Sequence, residues 1–428
     1  MRAWWCVVLL LPALALADVV RIHGSNTIGE ELAPALGEAW LEAEGFELEE
    51  RATPAPNELT LRARRGAERR TLEIRAHGTS TGFAGLISRD ADIAMASRPA
   101  NALEVARAAP IGRLDSPAQE AVIALDGVAV IVHPSNPLRQ MSLAQIRAIF
   151  SGQLRDWSAL GHAGGRIALH ARDERSGTWE TFRALVLSET ALAASAQRYE
   201  STHELADAVA SDPGAIGFVG LNGVGNARAL AIADAPQAVA PEAFSVAVED
   251  YALSRRLFLY TPAPAARPAR DFVEFALSPA GQRVVEQSGF VAQEVRSYPA
   301  EVRGDTPPDY QQLVRGAQRL SVNFRFGVGS RLLDGKILRD VERLAAFMQR
   351  PTNRERELLL LGFADASEAT PYLAMALSTD RVDLVAGLLQ DRGVAATRSR
   401  GMGGSAPVAS NETLQGRMRN RRVEVWVR

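Results

Sequence analysis

Three times along this chain a short apolar run, a polar turn and an amphipathic stretch follow one another, and that repeated order most limits how it can fold. Residues 19–23 read as a strand that enters Gly24-Ser25-Asn26-Thr27. A helical pattern over 28–44 follows, with Leu32, Leu36, Ala39 and Trp40 roughly on one face. Residues 71–76, the turn 78–82 and the stretch 83–88 repeat the order. So do residues 166–170, the loop 172–177 and the stretch 178–187. Strand, turn and helix units in series predict a parallel α/β sheet. In such sheets the loops at the strand C-termini, with the free N–H groups of the following helices, form the binding crevice.

The 428 residues are 47% hydrophobic and 23% charged, which suits two or three globular domains and excludes a disordered chain. Basic and acidic residues nearly cancel at net −2, so charge gives no case for a nucleic-acid partner. The balance is uneven. Residues 319–428 carry 18 basic and 12 acidic groups, and this +6 segment on a −8 body predicts separate units with different partners. Arg2, the apolar residues 4–16 and Ala15-Leu16-Ala17 predict a cleaved secretory signal over 1–17 and a mature chain from Asp18. No later run is long enough to predict a transmembrane helix. The one cysteine, Cys6, falls inside that signal, so no disulfide, Cys-based zinc site or cysteine nucleophile is expected, nor any cofactor.

Residues 47–70, rich in charge and proline, read as a surface excursion, and 298–318 as a linker. A different pattern follows: strands at 321–326, 357–362 and 422–427, and helices at 332–349 and 372–391. That is a compact α+β unit of about 110 residues, an ordinary domain size.

The three turns share hydroxyls at helix starts: Ser25 and Thr27, Thr79 with Ser80 and Thr81, and Ser176 with Thr178. Taken singly, each hydroxyl reads as an N-cap worth about 1 kcal/mol. Taken together on one sheet, converging N–H dipoles and hydroxyls would make an oxyanion site. Arg172 and Arg175 flank the third turn and Arg98 follows Ser97, and arginine's planar fork suits phosphate or carboxylate oxygens.

These residues resemble the periplasmic phosphate-binding proteins of ABC importers, the PstS-like family. The likeness lies in Gly24-Ser25-Asn26-Thr27-Ile28, residues 77–82, Asp92 to Arg98, and Arg172-x-x-x-Ser176-Gly177-Thr178, with further matching text at 126–138, 143–161 and 253–289. The resemblance implies a two-lobe α/β periplasmic-binding-protein fold of type II over 18–297. Lobe 1 would comprise about 18–125 and 241–297, and lobe 2 about 126–240. It implies anion contacts from Thr27, the Ile28 amide, Thr79, Arg172, Ser176, Gly177 and Thr178, with Ser80, Ser97 and Arg98 beside them. It also implies a periplasmic location and delivery to ABC importer membrane subunits. The family's phosphate-binding prototype has an aspartate after the serine equivalent to Ser97, where it accepts a proton from the anion. Here Arg98, a donor, takes its place, which widens the expected ligand to sulfate or another oxyanion.

Residues 359–365 (LLLGFAD), 377–381 (LSTDR) and 400–425 resemble the OmpA-like peptidoglycan-binding domain, over about 319–428. The resemblance implies that Asp365 and Arg381 clasp the ammonium and carboxylate of diaminopimelate in the peptidoglycan stem, tying the protein to the cell wall or outer membrane. Phe363, Ala364 and Ala374 depart from the family pattern. With a receptor fixed to the wall, a sensing or adhesion role stands as an alternative to transport. An enzyme reading is also open: Gly78-Thr79-Ser80-Thr81-Gly82 matches G-x-S-x-G between a strand and a helix, which would make Ser80 a hydrolase nucleophile. No histidine stands in a loop with an obvious acidic partner, and that reading leaves the other two turns unexplained.

Overall fold

The computed structural model describes residues 18–161, 165–174, 176–234, 238–299, 306–327, 335–365, 367 and 370–428. The expected signal with Cys6, and Arg175 of the third turn, lie outside the described residues.

The first repeated unit forms the centre of a sheet. Asp18–Gly24 runs parallel to Glu68–Arg75 on one side and to Ile93–Ala96 on the other. The charged stretch expected as a surface excursion is instead an antiparallel ribbon, Glu47–Ala52 with Glu58–Arg65, that widens this sheet. Leu59, Leu61 and Ala63 point inward at every second position, while Arg62 and Arg64 pair outward with Glu50 and Glu49. The charge density was one face of a period-two strand. Trp40, from the helix Ala33–Ala43, meets Phe272 edge-on with ring centroids 5.5 Å apart and covers this core.

The strand Glu120–Val132 is buried from Ala121 onward and serves both lobes. Its first half pairs with Ser254–Tyr260, and from Val128 it pairs with Ala215–Gly220, so the partner changes at Gly127–Val128. Alongside Ala215–Gly220 lies Ala168–Arg172 in parallel, then Gln197–Tyr199. This second lobe has its own core, in which Phe182 stacks on Phe218 at 3.9 Å. The chain returns through Val248–Leu253, where Leu253 O accepts from Val128 N–H and the Tyr251 hydroxyl donates to Val128 O at 2.8 Å.

The C-terminal module is a five-stranded sheet in the order Ser297–Pro299, Gln318–Arg325, Arg422–Val427, Leu358–Gly362 and Arg398–Gly401. Its helices Gly335–Gln349 and Pro371–Gln390 contribute to its apolar core. Contacts to the return crossing seat it on the body. Asn323 Nδ2 donates to Val248 O at 3.0 Å and Arg325 to Asp250 at 2.5 Å, and Arg419 pairs with Asp234 of the second lobe. Lys336, the chain's single lysine, is buried 2.5 Å from Asp340 and 3.7 Å from Glu249. Burial alone would raise the Glu249 carboxyl, but Arg256, Lys336 and Arg325 hold it at about 2.

Candidate functional site

In none of the three turns does a hydroxyl cap the helix that follows. Thr27 and Ser176 occupy N-cap positions without a side-chain cap, and Thr79 is the first helical residue after an equally uncapped Gly78. Elsewhere Asn101, Ser142, Ser201 and Ser278 do cap their helices. The Thr27 and Thr79 hydroxyls meet groups beside the cleft between the lobes, while Thr81 donates back to Gly78 O at 2.8 Å.

Gly177 of the second lobe touches Thr27 of the first: a Cβ on it would fall 1.6 Å from Thr27 Oγ1. Only glycine permits that approach. The second turn joins through Ser97, whose Oγ lies 3.1 Å from Thr79 Oγ1 and whose N–H donates to the same atom at 3.2 Å. The Ser97 hydroxyl in turn donates to Glu180 Oε2 across the lobes at 3.2 Å. Arg255, buried and paired with Asp126 at 3.0 Å, donates from Nη2 to Thr27 Oγ1 at 2.7 Å. Its Nη1 is buried and finds no partner among the described residues, nor does the Ser25 hydroxyl. The cleft therefore gathers hydroxyls from both lobes, one carboxylate, and one buried guanidinium with donor capacity to spare.

The structure distributes the expected residues unevenly. Thr27, Thr79, Ser97 and Gly177 meet directly, and Ser176 and Thr178 begin the helix Gly177–Phe182 beside them. Ile28 opens the π-helical turn Ile28–Leu32, its side chain buried in the first core. Arg172 is buried, but its fork serves its own lobe, with Nη2 donating to Glu200 O at 2.7 Å and Nη1 to Thr202 Oγ1. Its Nε finds no partner among the described residues, and it faces a second cavity beside Asn26 and Glu30. Burial raises the Glu30 carboxyl, and Arg172 opposes that rise. Arg98 is clamped by Glu104, at 2.7 and 2.8 Å, and by Ser80 Oγ at 3.1 Å. Burial would raise the Glu104 carboxyl, yet bonds from Arg98 and the Asn101 N–H hold it below its usual range. Arg98 is thus a neutralised structural cation and not the open donor expected. Ser80, the nucleophile of the enzyme reading, has a guanidinium as its neighbour where a base would be needed.

Arg255, Asp126 and Glu180 were missed as site residues. The first two stand inside the matching text at 253–289 and 126–138, but pairing across 129 positions leaves no local signature.

Residues 50–280 match the PBP superfamily domain and 325–421 match the OmpA family. The chain belongs to the PBP superfamily, as a PstS-like domain fused to an OmpA domain. Among curated relatives, SphX of Synechococcus elongatus is 30% identical over 245 residues, covering 54% of this chain and 71% of the relative. The phosphate-binding protein PstS of Bacillus subtilis is 28% identical over 170 residues, 40% of this chain and 56% of its own length. A solved ABC-type phosphate transport receptor from Vibrio cholerae, at 21% identity and TM-score 0.51, covers 64% of this chain and 99% of its own, and it shows the fold.

In the OmpA domain, Asp365 and Arg381 are both buried, and Arg381 Nη1 donates to Phe363 O at 3.0 Å. Asp365 is engaged from inside, with Arg421 Nε 3.1 Å from its Oδ2 and Ser367 donating to Oδ1. Part of the positive charge of this segment lies inside it. Arg319, Lys336, Arg381, Arg421 and Arg422 are all buried.

Proposed function

We propose that the cleft binds phosphate or a closely similar oxyanion, and that the C-terminal module holds the exported protein to peptidoglycan through the diaminopimelate stem. One observation carries the first part. Three helix-start turns leave hydroxyls uncapped around the contact between the lobes, where the buried Arg255 donates to Thr27. Thr27, Thr79, Ser97, Ser176, Gly177 and Thr178 would surround the anion, and Arg255 would supply its countercharge from the partnerless Nη1. Lobe closure would remove water and strengthen each bond. The curated relative named as phosphate-binding, PstS of Bacillus subtilis, points the same way.

Glu180 supplies what Arg98 withholds. A carboxylate 3.2 Å from the Ser97 hydroxyl accepts a proton from a protonated oxyanion and repels a fully ionised one, so phosphate is favoured over sulfate. Titration calorimetry of residues 18–428 with phosphate and sulfate tests this, and no binding of either at millimolar concentration would refute it. Delivery to an ABC importer is the family's role, while the OmpA domain supports a receptor that works from the wall. Retention of the full chain on purified peptidoglycan at moderate salt, lost on Arg381→Ala, tests the anchoring. Retention that vanishes with salt equally in both would leave only charge.

A further inference from the structure

The cleft does not end at the hydroxyl turns. A cavity of about 560 Å³ continues from Ser97, Arg98, Glu180 and Arg255 outward between the second lobe, the return crossing and the C-terminal module. A bare oxyanion displaces only two or three waters at roughly 30 Å³ each, whereas cavities of ~300–1,000 Å³ hold small organic ligands. Its walls are mostly apolar: Leu185, Tyr251, Phe258, Phe326, Ala184 and Met418. Met418 stays 48% exposed in this folded chain, an apolar side chain left uncovered at the cavity wall. At the inner end the buried Arg255 Nη1, and on the module side the buried Arg325 Nε, have no partner among the described residues.

We propose that the ligand is an organic phosphate monoester, its phosphate among the hydroxyl turns and its apolar group in this cavity. The claim rests on the anion reading of the cleft and adds the substrate class. At Thr27–Gly177 the lobes are in contact, and the second cavity beyond is lined by the charged Glu30, Arg172 and Asp173, a poor setting for an apolar substituent. On the Ser97–Glu180 side the site opens into the cavity, so one phosphate oxygen can carry an ester there. A single ester leaves the other oxygens to the converging donors, as a monoester allows and a diester does not. Phe326 and Met418 come from the C-terminal module, so that module completes the binding site as well as reaching the wall.

The test compares inorganic phosphate with phenyl phosphate by calorimetry on the full mature chain. Wild type is expected to bind phenyl phosphate at least tenfold tighter than phosphate. Ala184→Trp, at an exposed position in the cavity wall, should erase that advantage and leave phosphate affinity within twofold. Met418→Trp repeats the test from the module, should the first variant misfold. Phosphate binding without preference for the phenyl ester, or equal weakening of both ligands by the tryptophans, would overturn this inference alone. Failure of both ligands to bind wild type would remove the anion reading beneath it.

Discussion

The cleft and the Asp365 pocket of the OmpA domain contain the same kinds of group, buried to similar depth, and their arrangement is opposite. In the cleft, Ser97 bonds across the lobes to Glu180, Thr27 and Thr79 are met by separate elements of the first lobe, and Arg255 and Arg172 each keep a buried nitrogen without a partner among the described residues. In the OmpA domain, Asp365 is closed by Arg421 of the same domain, and Arg381 is tied to Phe363 O. There too a nitrogen is left over, Nη2 of Arg421, but it belongs to the residue already holding the carboxylate. Leaving a buried donor unmet costs about 1–3 kcal/mol, so the cleft stores a debt that a ligand can settle. The Asp365 pocket has largely settled its own. Cleft residues should therefore weigh on affinity more than on stability, except Arg255, whose loss also strands the buried Asp126, and the Asp365 pair should do the reverse.

The largest effect is expected at Arg255. Removing one member of a buried hydrogen-bonded charge pair costs about 2–5 kcal/mol, or roughly 30- to 3,000-fold in affinity. Calorimetry should show Arg255→Ala losing phosphate on that scale, with partial rescue in Arg255→Lys. A loss within threefold would move the countercharge to Arg172. Next comes Asp365→Asn, which strands Arg421 in the interior and should cost the OmpA domain about 3 kcal/mol. Hydrogen exchange would show it as lost protection in Leu358–Gly362 with phosphate affinity unchanged. Undiminished protection would mean that the pair adds little to the fold of this domain. Thr79→Val should act on both: affinity down about tenfold, the worth of one hydrogen bond to an anion, and melting lowered by the acceptor that the buried Ser97 N–H loses.

How far the sequence carries these distinctions depends on distance along the chain. The turns were legible because each is local, a strand end, a hydroxyl and a helix start within a few residues. Whether those hydroxyls cap helices was not legible, since Ser176 and Ser142 look alike in sequence and only the second caps. Arg255 with Asp126, and Ser97 with Glu180, are pairings across 129 and 83 positions, the first made when two distant strands pair in register and the second only when the lobes meet. The ribbon at 47–65 was hidden for another reason: its outward face is so charged that the inward alternation of Leu59, Leu61 and Ala63 was overlooked. Arg98 carried the wrong expectation because its clamp, Glu104, caps the next helix and nothing at position 98 announces it.

A smaller effect is expected from Glu180→Gln. Losing the carboxylate removes both the acceptor for a protonated anion and the repulsion of a fully ionised one. The ratio of phosphate to sulfate affinity should fall by about five- to tenfold, roughly 1 kcal/mol, mainly because sulfate improves. An unchanged ratio would exclude Glu180 from selection.

The smallest effect separates the two regions by pH alone. Burial lowers the proton affinity of His23, with Arg75 and Arg21 adding to it, and burial likewise lowers that of His170. His23 lies in the strand that feeds the first turn, and His170 in the strand that feeds the third. Since both folded-state values lie below the unfolded one near 6.5, the unfolded chain binds more protons as the pH falls through that value. The stability tied to the neutral rings is fully present above about pH 6.5 and declines on acidification toward the folded values. All six histidines precede residue 204, so the OmpA domain has none to titrate in this window, and its Glu424 is held at about 2 by Arg319 and Arg422 against the effect of burial. From pH 7 to 5.5, hydrogen exchange should show falling protection in Asp18–Gly24 and Ala168–Arg172 and constant protection in Leu358–Gly362. Equal loss in all three strands would mean that the body and the OmpA domain unfold as one unit. In that case the buried contacts of Lys336, Arg325 and Arg419 bind them more tightly than either core holds itself.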